Sequence, residues 1–445
     1  MVMATLLAAV AAMSPQAGTV AAAPVSRVPH SPMVRLTAAE MFRLAELATI
    51  KGDMATVRAV YAALEKNPDA DIRSEARFRH AKQLVREKRN RDAALLLRRI
   101  LDDKPDATRV RLELAHLLQV MGDSTAALRE LRAAQAAGLP TAVARMVDRY
   151  SEALTASRPV GASFEFALAP DSNINHATRS DTLGTIFGDF DIDHASKARS
   201  GLGLSVRGQA FRRFALGNGD NSFLARVSGF GDLYRKSDFN DVALNLAAGP
   251  ELRMGRNQLN LELGVTQRWY GQKPFTRSAR AAVTWIRPLG SRTQLRINSS
   301  ASLIDNQLNH LQGGKGYSGQ VSVERALSTT TGAALSLGLD RQSLKDPGYS
   351  TTGWRASVLG WKDIGRATLT ASAEIGRLNA DERLLLFRDK RRDRYSRLTL
   401  GATFRQLTFR GFSPVTRFTI ERNRSTIEFY DYKRTRTEFA LVRAF

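Results

Sequence analysis

The chain contains no cysteine. That excludes a disulfide framework, a thiolate metal site and a cysteine nucleophile, and a cysteine-based lipid anchor is not expected. Long apolar runs are also missing. None approaches the roughly 18 residues of a membrane-spanning helix, and the mean hydropathy is −0.27, so a polytopic helical membrane protein is excluded. A membrane β-barrel is not, because alternating strands average to near-neutral hydropathy. Acidic residues are few: 43 Asp and Glu against 66 Lys and Arg leave a net charge of +23. No nucleic-acid-binding motif accompanies that charge, and the arginines are scattered rather than clustered, so no nucleic-acid partner is expected. What remains is 445 residues, 43% hydrophobic and 24% charged, which suits a folded chain of two or three domains.

Residues 1–23 read as a signal peptide. Met1–Met13 is an Ala/Leu/Val run too short to span a bilayer, and small residues follow in Ala17–Ala23, giving a mature start near Pro24. No Lys or Arg precedes Arg27, although a signal peptide ordinarily carries its positive charge before the apolar run.

Residues 37–157 repeat with a helical period. Aligning Gly52, Lys88 and Gly122 places Ala45, Ala81 and Ala115 seven positions upstream, and Val57, Ala93 and Ala127 five downstream. Tyr61, Leu97 and Leu131 follow, and Pro68, Pro105 and Pro140 close the units. Small residues let paired helices approach, large ones fill the next groove, and proline ends each hairpin. The spacing is similar to the tetratricopeptide repeat, whose arrays form grooves for peptides or proteins and supply no chemistry themselves.

After Pro159 the pattern changes to period two. Leu259, Leu261, Leu263 and Val265 alternate with polar residues, as do Leu369, Ala371, Ala373 and Ile375. About fourteen such segments occupy 161–445, joined alternately by tight turns such as Arg287–Gly290 and by long polar loops such as Asp171–Arg199. An even number of strands with that asymmetry predicts an antiparallel outer-membrane β-barrel. The short turns and the helical domain belong to the periplasm. Trp269, Tyr270, Trp285, Trp354 and Trp361 are expected in the interfacial girdles. Phe439, Leu441 and the terminal Phe445 form the apolar pattern by which such barrels are recognised for assembly, with Arg443 departing from it. The fold class is therefore α + β in two domains, a helical repeat array followed by a transmembrane barrel.

Chemistry-bearing constellations are sparse. No HExxH, GxSxG or Walker sequence occurs, and no catalytic residue, metal or cofactor is expected. His80 and His116 adjoin the small repeat residues Ala81 and Ala115 and read as packing residues. His176 and His194 share a long loop with Asp171, Asp189, Asp191 and Asp193, which read as solvated rather than as a calcium or hydrolase site. Arg296, Arg325, Arg341, Arg366 and Arg397 are expected to face the lumen, where they would attract acidic segments of a passenger. Arg391 and Arg392, with Arg388, Lys390 and Arg394, form a basic cluster in a predicted outer loop suited to lipopolysaccharide phosphate.

The first strand of the barrel runs into Pro170-Asp171-Ser172-Asn173-Ile174-Asn175-His176-Ala177. That segment, after a repeat array and at the start of a barrel, resembles the surface lipoprotein assembly modulator (Slam) family. The resemblance implies an outer-membrane barrel that helps deliver lipoproteins or related secreted proteins to the cell surface. Its implied partner is the passenger; the barrel reading adds outer-membrane lipid and the barrel assembly machinery. Within the motif, Pro170, Asp171, Ser172, Asn173, Asn175 and Ala177 are expected to cap turns and fix the chain at the barrel wall, or to touch the passenger. An exporter of polysaccharide, or a porin with a periplasmic repeat domain, is the alternative reading.

Overall fold

The structure is a computed structural model that describes residues 36–121, 123–136, 147, 160–217, 221–404, 407 and 412–444. The expected signal peptide, Gly122, Pro140, Phe445 and the end of the repeat region near residue 157 lie outside the described residues.

Six helices come first: α1 (Ala38–Lys51), α2 (Met54–Leu64), α3 (Ala70–Arg86), α4 (Asn90–Asp103), α5 (Thr108–Met121) and α6 (Ser124–Ala136). Thr37 opens α1 with a capping box, its hydroxyl accepting from the Glu40 N–H while the Glu40 carboxylate accepts from the Thr37 N–H at 2.7 Å. The chain then folds as three helical hairpins. The small residues Ala45, Ala81, Ala93, Ala115 and Ala127 are all buried, together with Val57, Tyr61, Leu97 and Leu131. An alanine at a helix crossing admits the neighbouring helix at close range, and the Leu side chains beyond it exclude water. The first hairpin turns on Gly52 at φ 74° and the second on Lys88 at φ 60°. Glycine adopts that left-handed geometry freely, whereas lysine carries a steric penalty of about 1 kcal/mol. His80 joins the first hairpin to the second: its ring stacks on Tyr61 at 5.3 Å, and Nδ1 lies 2.9 Å from the Glu65 carboxylate.

The barrel follows. Its first strand is β1 (Val160–Asp171), and a short hairpin of β2 (Thr182–Thr185) and β3 (Gly188–Asp191) occupies the next loop. The wall continues with β4 (Gly201–Ala215), β5 (Ser222–Tyr234), β6 (Asp241–Met254), β7 (Asn257–Tyr270), β8 (Lys273–Pro288), β9 (Thr293–Asn306) and β10 (Gly314–Ala326). It ends with β11 (Thr331–Leu344), β12 (Thr351–Ile364), β13 (Ala367–Ala380), β14 (Arg392–Phe404), β15 (Ser413–Ser425) and β16 (Tyr432–Ala444). Each strand pairs antiparallel with its sequence neighbours, and β1 pairs with β16 to close fourteen strands into a cylinder. Closure leaves the sheet no open edge, which the hydrocarbon core of a bilayer demands. Phe164, Phe166 and Leu168 of β1, Leu335, Leu337 and Leu339 of β11, and Phe439 and Leu441 of β16 point outward. Their neighbours Glu165, Ser336 and Glu438 point inward, so the period-two pattern separates a lipid face from a polar lumen.

Two expectations about facing need correction. Of the five arginines, Arg296 shares the lumenal face with Asn298 and Ser300, and Arg397 meets Glu421 there. Arg325 and Arg341 fall on the outward face, each near a strand end where a long side chain reaches past the hydrocarbon, and Arg366 lies in the turn between β12 and β13. Trp361 turns inward over Gly332, where a Cβ would collide with its indole, and Tyr270 shares the lumenal face with Arg268 and Asp241, so neither belongs to the outer girdle. Parity along a strand decides both cases, and residue type does not.

Candidate functional site

The barrel has two unlike ends. One carries the long connections 172–200, 307–313 and 381–391, and the other the tight turns 255–256, 289–292, 327–330 and 365–366. The helical hairpins lie at the short-turn end. Arg132 of α6 reaches the lumenal mouth there, donating to the Gln294 side chain at 2.7 Å and pairing with Glu324 at 2.9 Å. Asp106 accepts a hydrogen bond from Thr329 in the β10–β11 turn at 2.9 Å. Burial in this contact lowers the Arg132 pKa, and Glu324 opposes that shift.

At the opposite end, the segment after β1 is knitted into the wall. The Arg434 guanidinium of β16 forks onto the Asp171 carboxylate, with its shortest contact at 2.5 Å, and its other nitrogen lies 2.6 Å from His176 Nε2. Both carboxylate and guanidinium are buried, so each is the partner that makes the other's burial tolerable. The Ser172 N–H donates to the Thr435 carbonyl at 3.0 Å, and the Thr435 N–H returns to the Ser172 hydroxyl at 2.8 Å. Asn173 has no exposed surface. Its amide bridges Ala177 and the Lys433 carbonyl, and its oxygen accepts from the Ala177 N–H, closing a tight loop. Asn175 holds the far side of the same loop through the Lys197 carbonyl and the Arg199 N–H. His176 takes a left-handed backbone at φ 50° and sets its ring edge-on to Tyr432. Burial, reinforced by the Arg434 charge, lowers its pKa to about 4. The ring is therefore neutral at physiological pH.

The motif residues thus gather at the join of β1 and β16, with Pro170 in the strand itself. Phe439 and Leu441 lie on the outer face of the same join. The repeat-defining alanines are remote from it, in the helical core.

Sequence reading missed the extent of the ion network that runs down the lumen from this point. Arg436 holds Asp232 at 2.8 Å and Glu438 at 3.1 Å. Arg417 holds Glu438 at 2.8 Å and also contacts Glu165, and Arg207 reaches both carboxylates at 3.3 Å. A second branch joins Arg397, Glu421 and the Tyr432 hydroxyl. Arg434, Arg436 and Glu438 at alternate positions of β16, with Arg417 and Glu421 four apart in β15, were the visible signal; their cross-wall pairing needs the register. The lumen is charged on its far side as well: Arg280, Asp340, Arg355 and Glu374 line a cavity of about 460 Å³ there, beside Asn298 and Gln320, and Arg355 pairs with Asp340 at 2.8 Å.

At the outer end the loops are tied to one another. The Ile186 N–H at the tip of the β2–β3 hairpin donates to the Leu386 carbonyl, and Arg388 donates to Thr185. Those contacts also revise the expected basic cluster. Lys390 is held by the Asp381 carbonyl, Arg391 is paired with Asp393 and lies over the Tyr430 ring, and Arg392 and Arg394 belong to β14. Most of that charge ties loops together. His194 and the nearby Asp189, Asp191 and Asp193 do not converge: among the described residues no three His, Asp or Glu side chains form a group that could hold a metal.

The family model described as surface lipoprotein assembly modifier matches residues 161–445. No curated protein matches the chain. Among solved structures, the chain is similar to Pseudomonas aeruginosa OccK1 (OpdK) at 8% identity and TM-score 0.34, over 64% of this chain and 99% of that one. It is also similar to a bacterial polysaccharide outer membrane secretin, at 10% identity and TM-score 0.33 over 64% and 98%. An outer membrane channel from Pseudomonas putida F1 gives 13% identity and TM-score 0.34 over 65% and 97%.

Proposed function

This chain belongs to the surface lipoprotein assembly modifier family and is an outer-membrane barrel, and from that premise we propose that it moves lipoproteins to the cell surface. The helical hairpins act as a tetratricopeptide-type receptor in the periplasm, and the barrel conducts the passenger outward. No catalytic step, metal or cofactor is assigned to either part. One observation supports this division of labour above the others: Arg132 pins the helices to the lumenal mouth at the short-turn end. A passenger held there sits at the pore entrance, so its local concentration at the mouth is raised by the tether. The charged lumen favours polar protein segments over apolar ones. Lipopolysaccharide and the barrel assembly machinery are the further partners proposed, the first for the outer loops and the second for Phe439, Leu441 and Phe445.

Surface shaving tests the proposal. Intact cells with and without the protein are treated briefly with trypsin, and the released peptides are identified. Lipoproteins released only from cells that carry the protein support the reading. Unchanged lipoproteins with loss of an exported polysaccharide support the exporter instead.

A further inference from the structure

We propose that the β1–β16 join is a lateral exit through which the acyl chains of a lipid-anchored passenger leave the lumen for the membrane, with Asp171 and Arg434 as its latch. The inference rests on the lipoprotein reading above.

Backbone geometry at the join carries it. In an antiparallel pair, a residue directs its N–H and its carbonyl toward the same neighbour. Because the Ser172 N–H donates to Thr435, the even-numbered residues of β1 face β16. Pro170 is one of them, and it has no N–H to give. The pairing accordingly runs from Ser163↔Ala444 to Leu168↔Phe439, skips Ala169 and Pro170, and resumes at Asp171↔Arg436. On its other side β1 pairs with β4 at every residue from Val160 to Asp171. Pro250 makes a similar gap between β6 and β7, but those strands are joined by a two-residue turn. No hairpin connects β1 to β16. Among the described residues, this is the one place in the wall where a ladder defect coincides with strands that no hairpin joins.

Around that gap the join is held by side-chain charge as well as by the remaining ladder. Asp171–Arg434 closes the outer end, and the Glu165, Arg207, Arg417, Arg436 and Glu438 network spans it from within. Ion pairs can be exchanged for water or for a passing polar segment without leaving bare hydrophobic surface, so they suit a contact that must break and remake. The two faces of the join differ sharply. Inside are these charges; outside are Phe164, Phe166, Leu168, Phe439 and Leu441. An acyl chain gains nothing from the polar lumen and is stabilised by about 0.8 kcal/mol per methylene on reaching lipid. A slit at the join lets the protein part of a passenger stay in water while its lipid crosses sideways.

The absence of native cysteine makes the test direct. Ala167 and Ala440 are paired across the join, and both are buried on its lumenal side. Ala167→Cys with Ala440→Cys would lock it, and Ser322→Cys with Ser336→Cys would lock β10 to β11 as a control. Surface shaving of intact cells is then compared under oxidant and under reductant. The join-locked barrel should release at least tenfold less lipoprotein peptide, recover with reductant, and leave the control lock at the parental level. Full release from the oxidised join-locked barrel, or an equal loss in the control lock, would overturn the exit. Parental protein that releases no lipoprotein at all would instead count against the proposed function.

A passenger-independent measurement keeps the exit testable in that event. Amide hydrogen exchange of the full chain in nanodiscs of outer-membrane lipid should be at least tenfold faster in β1 and β16 than in β10 and β11. Asp171→Asn should raise it further at the join alone. Equal protection of the four strands, or a variant that leaves the join unchanged, would overturn it.

Discussion

Arg434 and Asp171 stand 263 residues apart in the chain and are joined by a fork of hydrogen bonds, the shortest 2.5 Å, at the outer end of the barrel's closing strands. The pair ties the segment after β1 to β16, and its partners on either side, His176 and Arg436, extend the tie into the loop and the lumen. Asp171→Ala would leave a buried guanidinium without its counter-charge, and such losses cost about 3–5 kcal/mol. The variant should still assemble, and its barrel should unfold at lower temperature in a heat-modifiability gel. An unchanged transition would show that the pair contributes nothing to closure.

Acid should loosen the same place. The His176 pKa falls from an ordinary 6.5 to about 4 in the folded protein, facing Arg434 and Arg436 on one side and Asp171, Glu421 and the Tyr432 ring on the other. A folded pKa below the unfolded one gives stability that is fully present above pH 6.5 and lost as pH falls toward 4. His176→Gln should flatten that portion of a stability–pH curve measured between pH 7 and 4. A curve identical to the parent's would remove His176 from the account.

Much of the fold was legible because it obeys simple periods. Alternation gave about fourteen antiparallel strands over 161–445, the number that closes the wall, and the six helices fall inside the repeat region. The β2–β3 hairpin was not legible: Thr182–Asp191 is short, polar at its start and carried by contacts with Leu386 and Arg388 some 200 residues away. The junction motif was visible as a cluster of turn-forming residues. That Asp171 is the counter-ion of Arg434 was not, since the partner lies in the final strand and only barrel closure unites them. The faces of Arg325 and Arg341 were misjudged for a related reason. Near strand ends a charged side chain is tolerated outward, so composition no longer reports parity.

Lys88 offers a test of the helical hairpins. It occupies the left-handed position that Gly52 fills in the preceding unit. Lys88→Gly should therefore stabilise residues 24–158, produced as a soluble helical fragment, by about 1 kcal/mol in urea unfolding followed by circular dichroism. Destabilisation, or a fragment that is not helical, would count against the repeat reading.

Arg132 governs how the helices sit on the pore. Arg132→Ala removes the contacts with Gln294 and Glu324 while leaving the helical core untouched. The barrel should assemble normally, and the helical region should become at least several-fold more sensitive to protease in solubilised full-length protein. Unaltered sensitivity would mean that Asp106–Thr329 and other contacts hold the helices without it.

The central claim is that helices and barrel together deliver lipoproteins outward. Its most direct measurement is the amount of lipoprotein that trypsin releases from intact cells carrying either the full chain or the chain lacking residues 37–157. The account predicts that both barrels reach the outer membrane and that only the full chain yields surface lipoprotein. Release at the full level from the barrel alone would contradict it.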